Sequence, residues 1–341
     1  MIRRICLKTL VLFVVFNVLF AFIAPQSWLG RASLYNLVFP GRPRLPWGEN
    51  PDRAYNLTLN NLDAMFAAHE IAASPKPADE FRVVLIGDSS TWGFLLRPEE
   101  TLSAQLNSMQ LKAKDSRRVR VYNLGYPDFS LSKDTLIMQR AMGYQPDLVV
   151  WLVTLRSFPI STQMHPLVQA NQTDPAPTDR WFWSQRRNLA DLLRLQLYGV
   201  PWATTGIDQV YSADYVRWQN DLDPDDTFQT LKPPTLNRAD LALDVIGQAK
   251  QIAGTTPLLI VNEPMAIATG KNSDIRYNFF YPRWAYDQYR VLMTEQAQQK
   301  NWRYVDLWNA IPAAEFTNSA VHLTPAGSRM LADLLREEGR R

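Results

Sequence analysis

Covalent chemistry at neutral pH needs a nucleophile, a base within reach of it, and donors for the charge that develops. The sequence offers a nucleophile at Ser89, where the apolar run Val83-Val84-Leu85-Ile86 ends abruptly in the small polar turn Gly87-Asp88-Ser89. A serine hydroxyl attacks only when a base takes its proton, and histidine is the usual base. The chain has 3 histidines. His69 falls in a helix-like piece ahead of the first strand, where a surface or packing position is expected, and His165 falls in a long irregular excursion. His322 stands just before Thr324-Pro325, the start of the last helix, and is the candidate base.

The elements that must position these residues follow from periodicity. Residues 81–87 form a short continuous run of branched apolar side chains, the pattern of a strand buried on both faces. Further strands are expected at residues 118–123, 147–153, 257–262 and 302–306. Between them lie helices that start near Thr101, near Ser130 or Ser132, at residue 239 and after the aromatic loop 277–286. A last helix buries Met330, Leu331, Leu334 and Leu335. Strand and helix alternating over short links imply a parallel sheet covered on both faces, whose carboxyl edge binds ligands. Ser89 and His322 then share that edge. Gly125, closing Asn123-Leu124-Gly125 after the second strand, lacks a side chain that would keep its N–H from an oxyanion, and the N–H of Ser89 is a second donor.

Residues 154–237 break the rhythm. Within them Arg186, Arg187 and Arg194 with Leu189, Leu192, Leu193 and Leu197 outline an amphipathic helix, suited to packing on a core or to lying on a membrane surface.

The N-terminus has its own character. Arg3, Arg4 and Lys8 precede an uncharged stretch from Thr9 to Ala24, about 30 Å of helix when counted from Ile5, enough to cross a bilayer. A cleaved signal peptide shares the basic start and apolar centre. Phe22 two places before Ala24, and Pro25 after it, favour an uncleaved anchor at residues 1–25, with its basic flank in the cytoplasm and the rest of the chain outside. Residues 26–80, rich in Pro, Gly and Asn, read as a stalk and lead-in, followed by an α/β domain over 81–341 with a long insertion at 154–237. The three basic residues account for the whole formal net charge of +3. The exported part is therefore near neutral, without the basic face of a nucleic-acid binder. The single cysteine, Cys6, excludes an intrachain disulfide, and no His, Cys and carboxylate spacing suggests a metal or cofactor site.

Gly87-Asp88-Ser89 after the first strand, Asn123-Leu124-Gly125 after the second and a histidine just before the C-terminal helix together resemble the SGNH, or GDSL, hydrolases. The resemblance covers residues 81–153 and 257–337. It implies a flavodoxin-like three-layer sandwich on a five-stranded parallel sheet. It also implies metal-free esterase or acyl-transfer chemistry, with Ser89 as nucleophile, His322 as base, and Ser89 and Gly125 as oxyanion donors. Two positions depart from the family. Where its members carry a third donor, an asparagine after the third strand, this chain has Arg156, whose guanidinium suits an oxyanion or an anionic group and suits solvent equally. The aspartate three residues before the histidine is replaced by Ser319. The neighbouring Asn318 is the candidate orienting group, with a backbone carbonyl or a bare Ser89-His322 dyad as alternatives.

Other residues carry less. Asp88 is expected to brace the turn. Glu263, after the fourth strand, either contacts substrate or is structural. Tyr281 and Arg283, in the aromatic loop, suit a carbohydrate or acyl-glycan surface, although such clusters also simply pack. The expected function is a membrane-anchored serine esterase or acyltransferase acting through an acyl-Ser89 intermediate. Its topology is similar to SGNH-like proteins that work with membrane-bound O-acyltransferases, which makes an acylated envelope glycan the expected substrate. The alternative is a binding or scaffold protein that kept the fold and lost the complete site.

Overall fold

The computed structural model describes residues 1–23, 26–38, 41–47, 60–171, 180–205 and 215–340. The chain divides into two compact units. The larger comprises residues 43–45, 75–165 and 209–341 and holds the sheet. The smaller comprises residues 1–42, 46–74 and 166–208.

In the larger unit the strands are β1 (Glu80–Ile86), β2 (Arg118–Asn123), β3 (Leu148–Val153), β4 (Leu258–Asn262) and β5 (Arg303–Asp306). All pairings are parallel, in the order β2-β1-β3-β4-β5. This is the flavodoxin-like order, with β1 between β2 and β3. The helices are α1 (Ser89–Trp92), α2 (Leu102–Ser108), α3 (Leu131–Met142), α4 (Leu243–Ala253), α5 (Arg283–Lys300) and α6 (Pro325–Arg340).

Strand side chains alternate between faces, and both faces are covered. Val83 and Leu85 of β1, Val150 and Leu152 of β3, and Leu259 and Val261 of β4 pack with Leu102 and Leu106 of α2 and with Leu331 and Leu335 of α6. On the other side α3 and α4 pack together, and the Trp151 indole of β3 donates to Asp134 of α3 at 3.0 Å. Three helix starts rest on local chemistry. Thr101 and Ser130 accept from N–H groups of the first turns of α2 and α3, and Thr324 accepts from Gly327 at 3.0 Å at the head of α6. Met330, expected on the buried face of α6, is 41% exposed, and Ala332 takes the buried position instead.

In the smaller unit the helix Ile2–Ile23 is the one described helix long and apolar enough to cross a membrane, a property that anchors and signal sequences share. Ala24 and Pro25 lie outside the described residues. The expected amphipathic helix of the excursion runs from Phe182 to Thr205. It belongs with the N-terminal segment rather than with the sheet, packing on the short helix Leu34–Val38. The apolar side chains Leu34, Leu37, Leu189 and Leu192 line a shared cavity there, which explains why the excursion leaves the sheet unit. His69 is fully buried, and its Nδ1 accepts from the N–H of Ile71 at 3.1 Å, a packing role.

Candidate active site

β1 delivers Ser89 to the carboxyl edge as the first residue of α1. Asp88 caps this helix, its Oδ1 accepting from the N–H of Ser90 at 2.8 Å. The four-residue helix ends at Gly93 with φ of +87°, a conformation that favours glycine. The N–H groups of Gly93 and Phe94 both return to the Ser89 carbonyl, at 3.1 and 3.0 Å. The turn is thus closed on itself, and Ser89 has little freedom. Among the described residues no acceptor faces the N–H of Ser89, one of the donors a first helical turn leaves unmade.

His322 arrives from the loop before α6. Phe316 and Leu323 pair across that loop, and the Thr317 N–H donates to the His322 carbonyl at 2.8 Å. The imidazole stacks on Phe94, with ring centroids 4.5 Å apart and planes at 19°. Its Nε2 lies 2.7 Å from Ser89 Oγ, and its Nδ1 lies 2.8 Å from Asn318 Oδ1. An amide oxygen only accepts, so Nδ1 carries the proton and Nε2 presents its lone pair to the serine. Ser89 and His322 are only 9% and 8% exposed. Burial pushes the His322 pKa down to about 4, because an imidazolium loses its hydration and the adjoining amide offers no compensating charge.

Gly125 has a different local role from the one its position suggests. Its N–H donates to the Asn123 side chain at 3.0 Å. A Cβ at Gly125 would lie 2.5 Å from the backbone nitrogen of Trp92 and 2.8 Å from the carbonyl carbon of Thr91. The missing side chain therefore lets the loop after β2 touch the backbone of α1. Asn123 completes the join, its amide donating to the Thr91 carbonyl at 2.9 Å.

Beneath the turn lies a buried polar group that sequence patterning does not reveal. Lys133 of α3 is fully buried, and its ammonium donates to the carbonyls of Gly87 and Tyr126 and pairs with Asp134 at 2.8 Å. Glu263, which follows β4, is 1% exposed and accepts from the Ser90 hydroxyl. Its carboxyl adjoins that of Asp88, and burial raises the pKa of both acids. Burial, with the neighbouring Asp88 second, pushes the Glu263 pKa well above the usual carboxylate range. Asp88 and Glu263 thus brace α1 from below.

The structure brings Ser89, His322 and Asn318 into one hydrogen-bonded line. Glu263 sits behind the serine turn. Tyr281 is fully buried, its hydroxyl 2.9 Å from the Thr154 hydroxyl and its ring packed on Tyr286. Arg283 donates to the Ser273 carbonyl at 2.6 Å and lies over the Tyr277 ring. Arg156 follows β3 and lies against Phe129 and Phe280.

The sequence matches no protein-family model and no curated protein. Solved structures do resemble it. One is an acetylxylan esterase from Geobacillus stearothermophilus, as a catalytic mutant, at 15% identity and TM-score 0.40, covering 76% of this chain and 93% of that one. Another is a member of the lipolytic protein G-D-S-L family from Veillonella parvula, at 10% identity and TM-score 0.37, covering 75% and 96%. A third is the aryl esterase of M. smegmatis, at 14% identity and TM-score 0.38, covering 76% and 98%. The likeness is one of fold.

Proposed function

We propose that this chain is a serine esterase or acyltransferase of the SGNH type. The observation that carries the reading is the line from Ser89 Oγ to His322 Nε2 to Asn318, at 2.7 and 2.8 Å. In the first half-reaction Ser89 Oγ attacks the ester carbonyl while His322 Nε2 takes its proton. The tetrahedral oxyanion is met by the Ser89 N–H. Gly125 adds its N–H only by letting go of Asn123. Collapse expels the alkoxide, which leaves with the proton held on His322, and an acyl-Ser89 ester remains. In the second half His322 deprotonates water or a sugar hydroxyl, which attacks the acyl group and returns Ser89 with its proton. Asn318 holds the tautomer throughout, as the asparagine of Cys-His-Asn sites does.

The setting of this chemistry belongs to the same proposal. Residues 1–25 anchor the chain in a membrane, residues 26–80 lead to the α/β domain over 81–341, and that domain works outside the cytoplasmic membrane. The helix Ile2–Ile23, with Arg3, Arg4 and Lys8 at one end, supports this. An acylated envelope glycan is the substrate class, and a membrane-bound O-acyltransferase is the partner class. A fluorophosphonate probe tests the central claim: it should label Ser89, and Ser89→Ala should abolish both labelling and ester hydrolysis. A folded protein that ignores the probe and all short-chain esters would overturn it.

The second reading, a non-catalytic scaffold on the same fold, draws on one feature. Burial makes His322 a weak base, and an amide stands where a carboxylate would offset that by stabilising the imidazolium. That reading expects glycan or partner binding with no probe labelling.

A further inference from the structure

Arg156 is the cation whose surroundings the proposed mechanism leaves unexplained. It is half-buried and follows β3 on the carboxyl edge. Buried arginines elsewhere in this unit spend their donors on the protein: Arg82 pairs with Glu80 at 2.6 Å, and Arg276 donates to several loop carbonyls. Among the described residues Arg156 makes no hydrogen bond and no ion pair. Two aromatic rings hold it instead. Its guanidinium carbon lies 4.3 Å from the Phe280 centroid and 5.1 Å from that of Phe129. The two rings are 5.8 Å apart and nearly perpendicular, at 81°, so the guanidinium sits in a corner with its N–H edge unspent.

Topology places this corner on the same edge of the sheet as the serine. Phe129 follows β2, Arg156 follows β3 and Phe280 follows β4, whereas β1 lies between β2 and β3. The contact between Phe129 and Arg156 therefore joins the loops that follow the two strands flanking β1. Ser89 begins α1 at the carboxyl end of β1. One acid lies near the cation. Asp128 is held below the usual carboxylate range by the adjoining His165 first, helped by Lys133 and Arg156 nearby. Its carboxylate lies 3.4 Å from His165 Nε2 and forms no ion pair with Arg156.

We infer that Arg156, in the corner of Phe129 and Phe280, is a subsite for a carboxylate on the substrate, so that the ester opened at Ser89 belongs to an acidic, uronate-type glycan. The fork of a guanidinium matches a carboxylate with two parallel hydrogen bonds, and the ring walls suit the apolar face of a sugar. This rests on the esterase reading for the chemistry at Ser89, but binding can be measured apart from catalysis. Arg156 then acts through substrate binding, whereas a role as third oxyanion donor would act on the transition state.

The test uses the full chain in detergent, titrated calorimetrically with an unesterified hexuronate oligomer and with a neutral hexose oligomer of equal length. Hexuronate should bind in preference and weaken with added salt. Arg156→Gln should weaken it about tenfold or more, as loss of a charge-assisted pair implies, and Arg156→Lys should fall between. In steady-state assays Arg156→Gln should raise KM for an acetylated hexuronate, whereas an oxyanion role would lower kcat on acidic and neutral esters alike. Thermal melts confirm that each variant is folded. Equal binding of the two oligomers, or unchanged hexuronate affinity in folded Arg156→Gln, would overturn the subsite. Probe labelling of Ser89 in the same samples separates the two ideas: hexuronate binding without labelling removes the esterase reading alone, and labelling without hexuronate preference removes the subsite alone.

Discussion

Asn318 Oδ1 accepts from His322 Nδ1 at 2.8 Å, which turns the imidazole lone pair toward Ser89. The pair does the steering of a Ser-His-Asp triad without its charge. An orienting carboxylate would stabilise the imidazolium formed when the serine gives up its proton, and an amide cannot. The geometry is therefore that of a base, and the electrostatics are those of a weak one.

Separating the two contributions takes two substitutions. Asn318→Ala frees the ring to rotate and to change tautomer, and should slow probe labelling of Ser89 about a hundredfold, the scale expected for a displaced catalytic group. Asn318→Asp keeps the acceptor and adds a charge within about 4 Å, so the His322 pKa should rise and labelling at pH 7 should speed up. Identical rates for the wild type and both variants would show that Asn318 does not orient the base.

The pH profile follows from the His322 pKa of about 4. The imidazole is unprotonated above that value, so the labelling rate should stay level from pH 8 to about pH 5 and halve near pH 4. An acid limb near the unperturbed pKa of about 6.5 would mean that the ring is well solvated. Stability carries the same sign. Between these two values the unfolded state binds the extra proton, so this part of the folding free energy is complete above about pH 6.5 and is lost as the pH falls toward 4. Its size is on the order of 3 kcal/mol, at about 1.4 kcal/mol for each pKa unit.

How much of this could be read before the fold was known depends on the distance over which each feature is determined. The strands were legible because a parallel strand writes its burial into its own residues, as in Val83 to Ile86 and Val149 to Val153. The meeting of Ser89 with His322, 233 residues apart, was legible through one topological rule about the carboxyl edge. Asn318 lies 4 residues from the histidine and needed only a loop. Lys133 gave no such signal. It sits in an ordinary helical stretch, and its burial is decided by the carbonyls of Gly87 and Tyr126, brought to it by the sheet. Tyr281 was ambiguous from sequence alone: an aromatic, Asn- and Arg-containing loop suits a binding surface or packing alike, and here Phe280 and Tyr286 pack against its ring in the interior.

Glu263 and Asp88 supply a prediction that concerns a buried proton. Because the folded pKa of Glu263 is raised, the folded state holds a proton that the unfolded state has already lost, and stability from this group grows as the pH falls. Glu263→Gln retains a hydrogen for Asp88 and an oxygen for the Ser90 hydroxyl without titrating. It should leave Tm closest to that of wild type at about pH 4, below the unfolded carboxyl pKa, and raise it increasingly relative to wild type as the pH rises above that. Glu263→Ala leaves Asp88 and the Ser90 hydroxyl without their buried partner, and should cost about 1–3 kcal/mol near pH 4. A Gln variant as unstable as the Ala variant would show that Glu263 does not carry a proton in the fold.

Gly125 allows a final distinction between a backbone donor and a backbone contact. Adding one methyl group leaves the N–H in place, so a purely donating glycine would tolerate alanine. Here the new Cβ would meet the Trp92 nitrogen at 2.5 Å and the Thr91 carbonyl carbon at 2.8 Å. Both are main-chain atoms of α1, and neither can rotate away as a flexible side chain would. The helix that begins with Ser89 must shift, moving its Oγ from the 2.7 Å contact with His322. Gly125→Ala should therefore lower stability by about 1–3 kcal/mol, the usual cost of overpacking. It should also slow Ser89 labelling far more than Tm loss explains, since an ångström of displacement is worth about a hundredfold in rate. Normal Tm with normal labelling would show that the loop after β2 can yield, and that the contact with α1 does not hold the serine in place.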